Sequence, residues 1–173
     1  MKNHNITPTD IEYVMNEGEY IVSTTNLAGR ITSVNEFFTK ACGYREEELL
    51  GAQHNIIRHP STPRAVFWLL WGALEDGEEF SGYVKNLRKD GGYYWVFAHI
   101  FPIHDAAGTL IGYKSNRRRP KRDALPVIEK LYAEMLAAEQ AAGPRDAIQA
   151  GASVLSQALA RQRQSYDEFI ASL

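Results

Sequence analysis

Three strand-like runs follow one another between residues 79 and 117, and two short turns separate them. The first turn, at 89–92, contains Asp90-Gly91-Gly92, and the second lies at 105–108. Apolar and β-branched runs joined by tight Gly-containing turns predict consecutive antiparallel strands. The chain must therefore build a sheet around this meander and cover its apolar face.

The segment before the meander supplies two more strands and several short helices. Residues 19–25 and 30–34 are strand-like and flank a turn, which predicts an opening hairpin. Four helical patterns follow, at 35–44, 45–51, 55–59 and 62–77. This order predicts an α+β fold, in which a five-stranded antiparallel sheet carries small helices on one face.

Composition excludes several classes of protein. With 173 residues, 45% of them hydrophobic, the chain can bury a core, and its net charge of −2 argues against a nucleic-acid binder that acts through bulk charge. A single cysteine, Cys42, excludes an intrachain disulfide framework and a Cys-rich zinc site. The longest apolar run, 65–71, is too short to span a membrane, so we expect a cytoplasmic protein or a fragment of a longer receptor. The absence of Gly-rich phosphate-loop, HExxH and CxxC motifs favours a protein that is not an enzyme.

The two ends of the chain have patterns of their own. Residues 1–18 are polar, and Thr9-Asp10 predicts a short helix within this N-terminal cap. A helix is predicted over 126–142, and Gly143-Pro144 breaks it. Apolar residues then recur in steps of four and three, with one polar interruption, which is typical of a coiled coil and favours a homodimer. These positions are Ile148, Ala152, Leu155, Leu159, Gln162, Tyr166, Phe169 and Leu173.

Two motif blocks mark the centre of the chain. The first is HNIIRHP at 54–60, followed by Pro63, Phe67 and Trp71. The second is SGYVKN at 81–86, followed by Arg88-Lys89 and by YWV at 94–96. Over about residues 19–119 these blocks resemble the PAS domain of bacterial aerotaxis receptors.

The resemblance implies a sensor domain at 19–119, between the cap at 1–18 and a helical tail at 120–173. It implies non-covalent binding of FAD, whose redox state reports oxygen or energy status to a downstream signalling partner through terminal helices. Where the family commonly has an acidic residue after RHP, this chain has Ser61. Carried over position by position, the cofactor-binding residues are Asn35, Arg58, His59, Phe67, Trp71 and Asn86.

Strand alternation places some of these residues on one face of the sheet. Asn86 shares a face with Phe80 and Val84, and a buried amide needs hydrogen-bond partners. The edge of a flavin ring offers alternating carbonyl and N–H groups that suit a carboxamide. The alternative is an Asn that ties down a neighbouring backbone.

In the next strand, Val96, Ala98 and Ile100 share the face that the resemblance turns toward the ligand. Trp95 and its aromatic neighbours then form an outer face, which the N-terminal cap or a second subunit is expected to cover. The reverse assignment of the two faces is the alternative.

The helical segment offers charged and aromatic candidates. Arg58 is suited to bind a pyrophosphate. The alternative is that it forms an ion pair with the acidic cluster at 46–48. His59 would donate to the cofactor or cap its turn. We expect Trp71 to lie near the ligand and Trp68 to pack in the core.

Two other functions stay open. Ser61 favours an interaction module of the same fold, with an empty pocket or a different small ligand. A haem-based gas sensor would use His54 or His59 as its ligand. The basic run at 117–122 is expected to end the last strand and form a solvated linker, in preference to a nucleic-acid or lipid site.

Overall fold

A computed structural model of the chain describes residues 6–173. Its five strands form one antiparallel sheet in the order β2-β1-β5-β4-β3. The strands are β1 (Tyr20–Thr25), β2 (Ile31–Val34), β3 (Phe80–Leu87), β4 (Tyr93–His104) and β5 (Leu110–Arg118). The predicted α+β class and five-stranded antiparallel sheet are confirmed.

Three short helices connect β2 to β3 and pack on one side of the sheet, which we call the inner face. They are α1 (Glu36–Cys42), α2 (Glu46–Leu49) and α3 (Arg64–Glu75), with a 3-10 turn at His54–Ile57. Asn35 caps α1 by accepting from the N–H of Phe38 at 3.2 Å, and Gly43 ends the helix with φ +75°. Phe38, Leu49 and Ile57 are buried in one core with Val96 and Ala98 of β4.

The C-terminal tail folds back on the domain. Helix α4 (Leu125–Gln162) bends at Gly143, whose φ of +77° and ψ of 172° are not helical, and α5 (Tyr166–Ser172) follows. We call residues 125–142 the first arm and 144–162 the second arm. The bend confirms the break predicted at Gly143-Pro144.

The first arm covers the outer face of the sheet beside β3 and β4. Tyr132 lies buried with its ring 6.3 Å from that of Trp95, and its hydroxyl donates to the carbonyl of Tyr83 at 2.6 Å. At Trp95 the cover is therefore the chain's own tail, and not the N-terminal cap or a second subunit as expected. Phe97, His99 and Phe101 of the same face are only half-buried.

The apolar positions of the heptad pattern pack within the chain. Leu155 of the second arm and Phe169 of α5 lie in the same core as Leu131 of the first arm. The helix does not continue through the pattern, because α4 ends at Gln162 and Arg163 takes a left-handed conformation with φ +55°. In the single chain, residues that would line a coiled coil are used for intramolecular packing.

The N-terminal segment is extended from residue 6 onward. Tyr13 donates its N–H to the carbonyl of Tyr93 at 2.8 Å, and the N–H of Tyr93 donates to Ile11 at 2.9 Å. The prediction of a short helix at Thr9-Asp10 was wrong, because the backbone of this segment is extended and forms hydrogen bonds with the start of β4. Residues 1–5 of the predicted cap lie outside the described residues.

The free edge of β3 is covered by side chains and by the chain before α3. Thr62 donates its hydroxyl to the carbonyl of Lys85 at 2.9 Å, and Arg58 forms an isolated antiparallel bridge with Asn86. With the hydroxyl of Tyr132 on Tyr83, these bonds occupy an edge that would otherwise pair with another chain. Over residues 6–173, none of the helices has the length and apolar character needed to cross a membrane.

Candidate functional site

A cavity of about 180 Å³ lies between the inner face of the sheet and helix α3. Its floor is aliphatic and consists of Val84, Val96, Ala98 and Ile100. Strand alternation and the resemblance predicted that this face of the sheet lies toward a ligand. An engineered cavity of ~150 Å³ accepts benzene, so the space suits the insertion of a flat ring.

Asn86 lines this cavity from β3 and is 4% exposed. Its backbone bridges to Arg58, but no hydrogen bond of its carboxamide occurs within residues 6–173. The structure therefore does not show the alternative in which this side chain ties down a neighbouring backbone. The carboxamide is free to bond with a molecule in the cavity.

Arg58, Phe67 and Trp71 also line the cavity. The guanidinium of Arg58 stacks over the ring of Phe67, 4.3 Å from its centroid, and partial burial lowers its pKa. The alternative, an ion pair with the 46–48 cluster, does not form, since Glu47 and Glu48 pair with Arg45 and Lys89 instead.

The indole of Trp71 meets Tyr113 edge to face at 5.6 Å and is 37% exposed, so it stands at the cavity mouth. Trp68 is 55% exposed, and the expectation that it packs in the core was wrong. It lies on the solvent side of α3.

His59 and Asn35 lie outside the lining. His59 is buried against Tyr93, and its Nδ1 accepts from the N–H of Ser61 at 3.0 Å, so it holds the turn after Arg58. Burial lowers the pKa of His59 to about 4 and keeps it neutral. Asn35 accepts from the N–H of Val22 at 3.1 Å and donates to the carbonyl of Tyr20 at 2.7 Å, which ties β1 to α1.

One side of the cavity carries a polar group of three residues from separate elements. Nη2 of Arg117 donates to Ser23 Oγ at 2.5 Å, and Ser23 Oγ lies 3.3 Å from Nε2 of His54. Because a guanidinium only donates, Ser23 accepts from Arg117 and its own hydrogen is free for Nε2. Burial, followed by the charge of Arg117, lowers the pKa of His54 to about 3. His54 is thus neutral.

Arg117 is a functional candidate that the sequence analysis missed. It was expected at the end of the last strand, where a solvated linker begins. Arg117 does lie in β5, but it is 2% exposed and lines the cavity, so the expectation that it is solvated was wrong. The signal was present in the strand period, since Tyr113, Ser115 and Arg117 share one face. Its guanidinium stacks over Phe38 at 4.4 Å, and burial lowers its pKa to about 10, which leaves it charged at neutral pH.

Helix α3 joins the cavity wall to the tail. Glu139 of the first arm is buried, and its carboxylate accepts from the N–H groups of Arg64 at 3.0 Å and Ala65 at 2.9 Å. A Cβ at Gly151 would lie 2.5 Å from Oε1 of Glu139, so the glycine makes room for this cap. The same helix presents Phe67 and Trp71 to the cavity.

Comparison with known proteins agrees with this architecture. A family model described as the PAS fold matches residues 31–116. The domain belongs to the PAS family. It is 42% identical over 112 residues to the aerotaxis receptor of Escherichia coli (strain K12), a match that covers 65% of this chain and 22% of the receptor. It is 27% identical over 105 residues to the nitrogen fixation regulatory protein of Klebsiella pneumoniae, covering 61% of this chain and 21% of that protein.

Solved structures share the PAS fold. The PAS domain of a Colwellia psychrerythraea protein gives a TM-score of 0.54 at 23% identity, covering 58% of this chain and 86% of that one. A light-oxygen-voltage domain studied with a flavin analogue gives a TM-score of 0.56 at 23% identity. That match covers 64% of this chain and 83% of the other. The chain spans about a fifth of the length of the two curated relatives. Those relatives place it among sensor and signal-transduction PAS domains.

Proposed function

We propose that this PAS domain binds FAD non-covalently in the cavity and reports redox, oxygen or energy state to a partner through its terminal helices. One observation carries the proposal: Asn86, which is 4% exposed, lines the cavity beside its aliphatic floor. An amide at such a position needs hydrogen-bond partners, and a ring edge with alternating acceptors and donors satisfies both of its ends. The resemblance to aerotaxis receptors supports flavin as that ring.

The other cavity residues suit the remaining parts of such a ligand. Phe67 and Trp71 supply aromatic surface at the wall and mouth, and Arg58, which has no carboxylate partner within residues 6–173, offers a cation for the pyrophosphate. In our proposal His59 and Asn35 act indirectly, by holding the turn after Arg58 and the start of α1. Bound FAD would supply reversible electron transfer, which is the event to be sensed.

Helix α3 is the proposed route from the cavity to the output. A ligand that shifts α3 changes the bonds that Glu139 accepts from Arg64 and Ala65. The packing of α4 then becomes the two-state element that a partner senses. We propose a cytoplasmic location and a signalling role, without catalysis, for this domain. A homodimer would have to form through tail residues that are not already buried against the domain.

The rival functions have weaker structural support. An interaction module that binds through the aromatic sheet face at Trp95 would first have to displace α4, whereas Phe97 and His99 of that face are partly exposed. A haem sensor would depend on His54, because His59 does not line the cavity, and Nε2 of His54 lies 3.3 Å from the Ser23 hydroxyl.

The visible absorption spectrum of the protein, as purified and after incubation with FAD, tests the proposal. Flavin bands, with free FAD released by heat, would support it. A Soret band would support the haem sensor instead. A colourless protein that takes up no added FAD would overturn the flavin proposal.

A further inference from the structure

Arg117 is a buried cation with no anion beside it. Its Nε and Nη1 atoms have no hydrogen-bond partner within residues 6–173, and it forms no ion pair there. The groups that face it are neutral: Ser23 from β1, Phe38 and Cys42 from α1, and Tyr94 from β4. His54, from the turn before α3, is neutral as well. Burial of a charge in such surroundings is unfavourable unless something compensates it.

The residue that carries these unpartnered donors lines the cavity. Arg117 lines it together with Ser115, whose buried hydroxyl also lacks a partner in the described chain. Stacking on Phe38 and the bond to Ser23 hold the guanidinium in place. A pre-positioned cation with free N–H groups is a binding site for a carbonyl oxygen or a negatively charged ring nitrogen.

We propose that Arg117 is the anion-recognising group of this cavity, and that it favours the charge state in which a bound flat ring carries negative charge. The proposal deepens and rests on the proposed function, in which that ring is the flavin of FAD. Asn86 would set the orientation of the ring, whereas Arg117 would set the balance between its oxidised and reduced forms.

The sheet register places the two groups at different ends of the floor. Arg117 pairs with Ala98 on one side of β4, and Asn86 pairs with Tyr94 on the other side. Positions 94 and 98 are separated along the strand by about 13 Å, at roughly 3.3 Å per residue. A ring lying on Val96 and Ala98 therefore meets an amide from one end and a guanidinium from the other.

Reduction of flavin by two electrons with uptake of one proton leaves one negative charge on the ring. A buried cation lowers the free energy of that form more than that of the neutral oxidised form. Arg117 should therefore raise the affinity for reduced FAD relative to oxidised FAD, which raises the midpoint potential.

Three variants of the FAD-loaded protein test this assignment. Arg117→Met removes the charge, Arg117→Lys keeps it, and Arg118→Met removes the same group from the opposite face, where it stacks over Phe97 at 4.8 Å. The midpoint potential is measured by titration with dithionite in the presence of a reference dye. We expect Arg117→Met to lose the preference for reduced FAD about tenfold, which lowers a two-electron potential by about 30 mV. Arg117→Lys should retain most of the preference, and Arg118→Met should match the wild type.

Unfolding of the ligand-free proteins supplies a second readout. Without ligand the buried cation is uncompensated, so Arg117→Met should unfold at the same temperature as the wild type or at a higher one. A lower unfolding temperature would show that Arg117 is structural and would overturn the assignment. An unchanged midpoint potential in FAD-loaded Arg117→Met would overturn it while leaving FAD binding intact. A wild-type protein that takes up no FAD would overturn the proposed function itself.

Discussion

Glu139 on α4 accepts a hydrogen bond of 2.9 Å from the backbone N–H of Ala65, at the start of α3. The residue before this helix, Pro63, offers no side-chain cap, so the carboxylate arrives from a part of the chain that is 74 positions away. A negative charge at a helix N-terminus satisfies free N–H groups and interacts favourably with the helix dipole. The tail therefore completes a helix of the sensor domain.

Replacement of Glu139 tests this cap. Glu139→Ala leaves the N–H groups of Arg64 and Ala65 without their acceptor, and we expect the free energy of unfolding to fall by about 1–3 kcal/mol in a urea titration. Glu134→Ala, at an exposed position of the same arm, should change it by less than ~0.5 kcal/mol. Equal losses in the two variants would mean that the cap does not stabilise the fold.

Asn86→Ala should weaken FAD binding about tenfold, because it removes the donor and the acceptor that face the ring edge. This loss equals about 1.4 kcal/mol and is measured by the quenching of flavin fluorescence. Asn116→Ala is the matched control, since Asn116 neighbours Ser115 and Arg117 on β5 and points to the opposite face. Unchanged affinity in Asn86→Ala would remove this residue from the site.

Gly143→Ala should destabilise the fold-back of the tail. Its φ of +77° with ψ of 172° is essentially restricted to glycine, so a side chain costs about 1–3 kcal/mol although nothing lies within 4 Å of the added Cβ. The same change at Gly72, inside α3 with open space around it, should stabilise the protein by up to ~1 kcal/mol. Thermal unfolding compares the two, and a shift of the same sign in both would contradict the explanation from backbone conformation.

Acid should destabilise the protein through His54. The pKa of His54 falls from its ordinary value of 6.5 to about 3 because burial and Arg117 oppose its charge. The unfolded chain thus binds a proton that the folded one does not, so stability is full above pH 6.5 and declines as the pH falls toward 3. For His54 the slope is about 1.4 kcal/mol per pH unit.

His54→Gln should flatten that decline in urea titrations performed between about pH 4 and 7, because glutamine offers Ser23 an acceptor without a titrating ring. His104→Gln, at an exposed position of β4, serves as the control and should retain the wild-type slope. A decline that is as steep in His54→Gln as in the wild type would assign the acid sensitivity to other groups.

Local pattern was sufficient to predict the sheet and the orientation of its cavity face. Alternation along β3 and β4 places Asn86 with Val84, and Val96 with Ala98, because side chains in a strand change sides at every residue. Tight turns then force antiparallel neighbours. These signals extend over only a few residues and need no knowledge of the tertiary structure.

What the sequence could not supply depends on distant contacts. Arg117 begins a basic run, and such a run is usually solvated; only the position of β5 between β1 and β4 buries it. The apolar spacing of the tail is the same whether it pairs with a second chain or packs on Tyr83 and Trp95. The N-terminal segment is extended because the backbone of Tyr93 offers it bonds, which Thr9 and Asp10 do not reveal.

Helix α3 carries Phe67 and Trp71 on its cavity side and receives Glu139 at its first turn. Suppose that a molecule in the cavity has a higher affinity when Glu139 caps this helix. By thermodynamic reciprocity, its binding must then shift the equilibrium toward the docked tail by the same factor. Detachment of the tail would lower the affinity for that molecule by that factor as well. A partner protein that captures α4 would thus report on the contents of the cavity and also alter them.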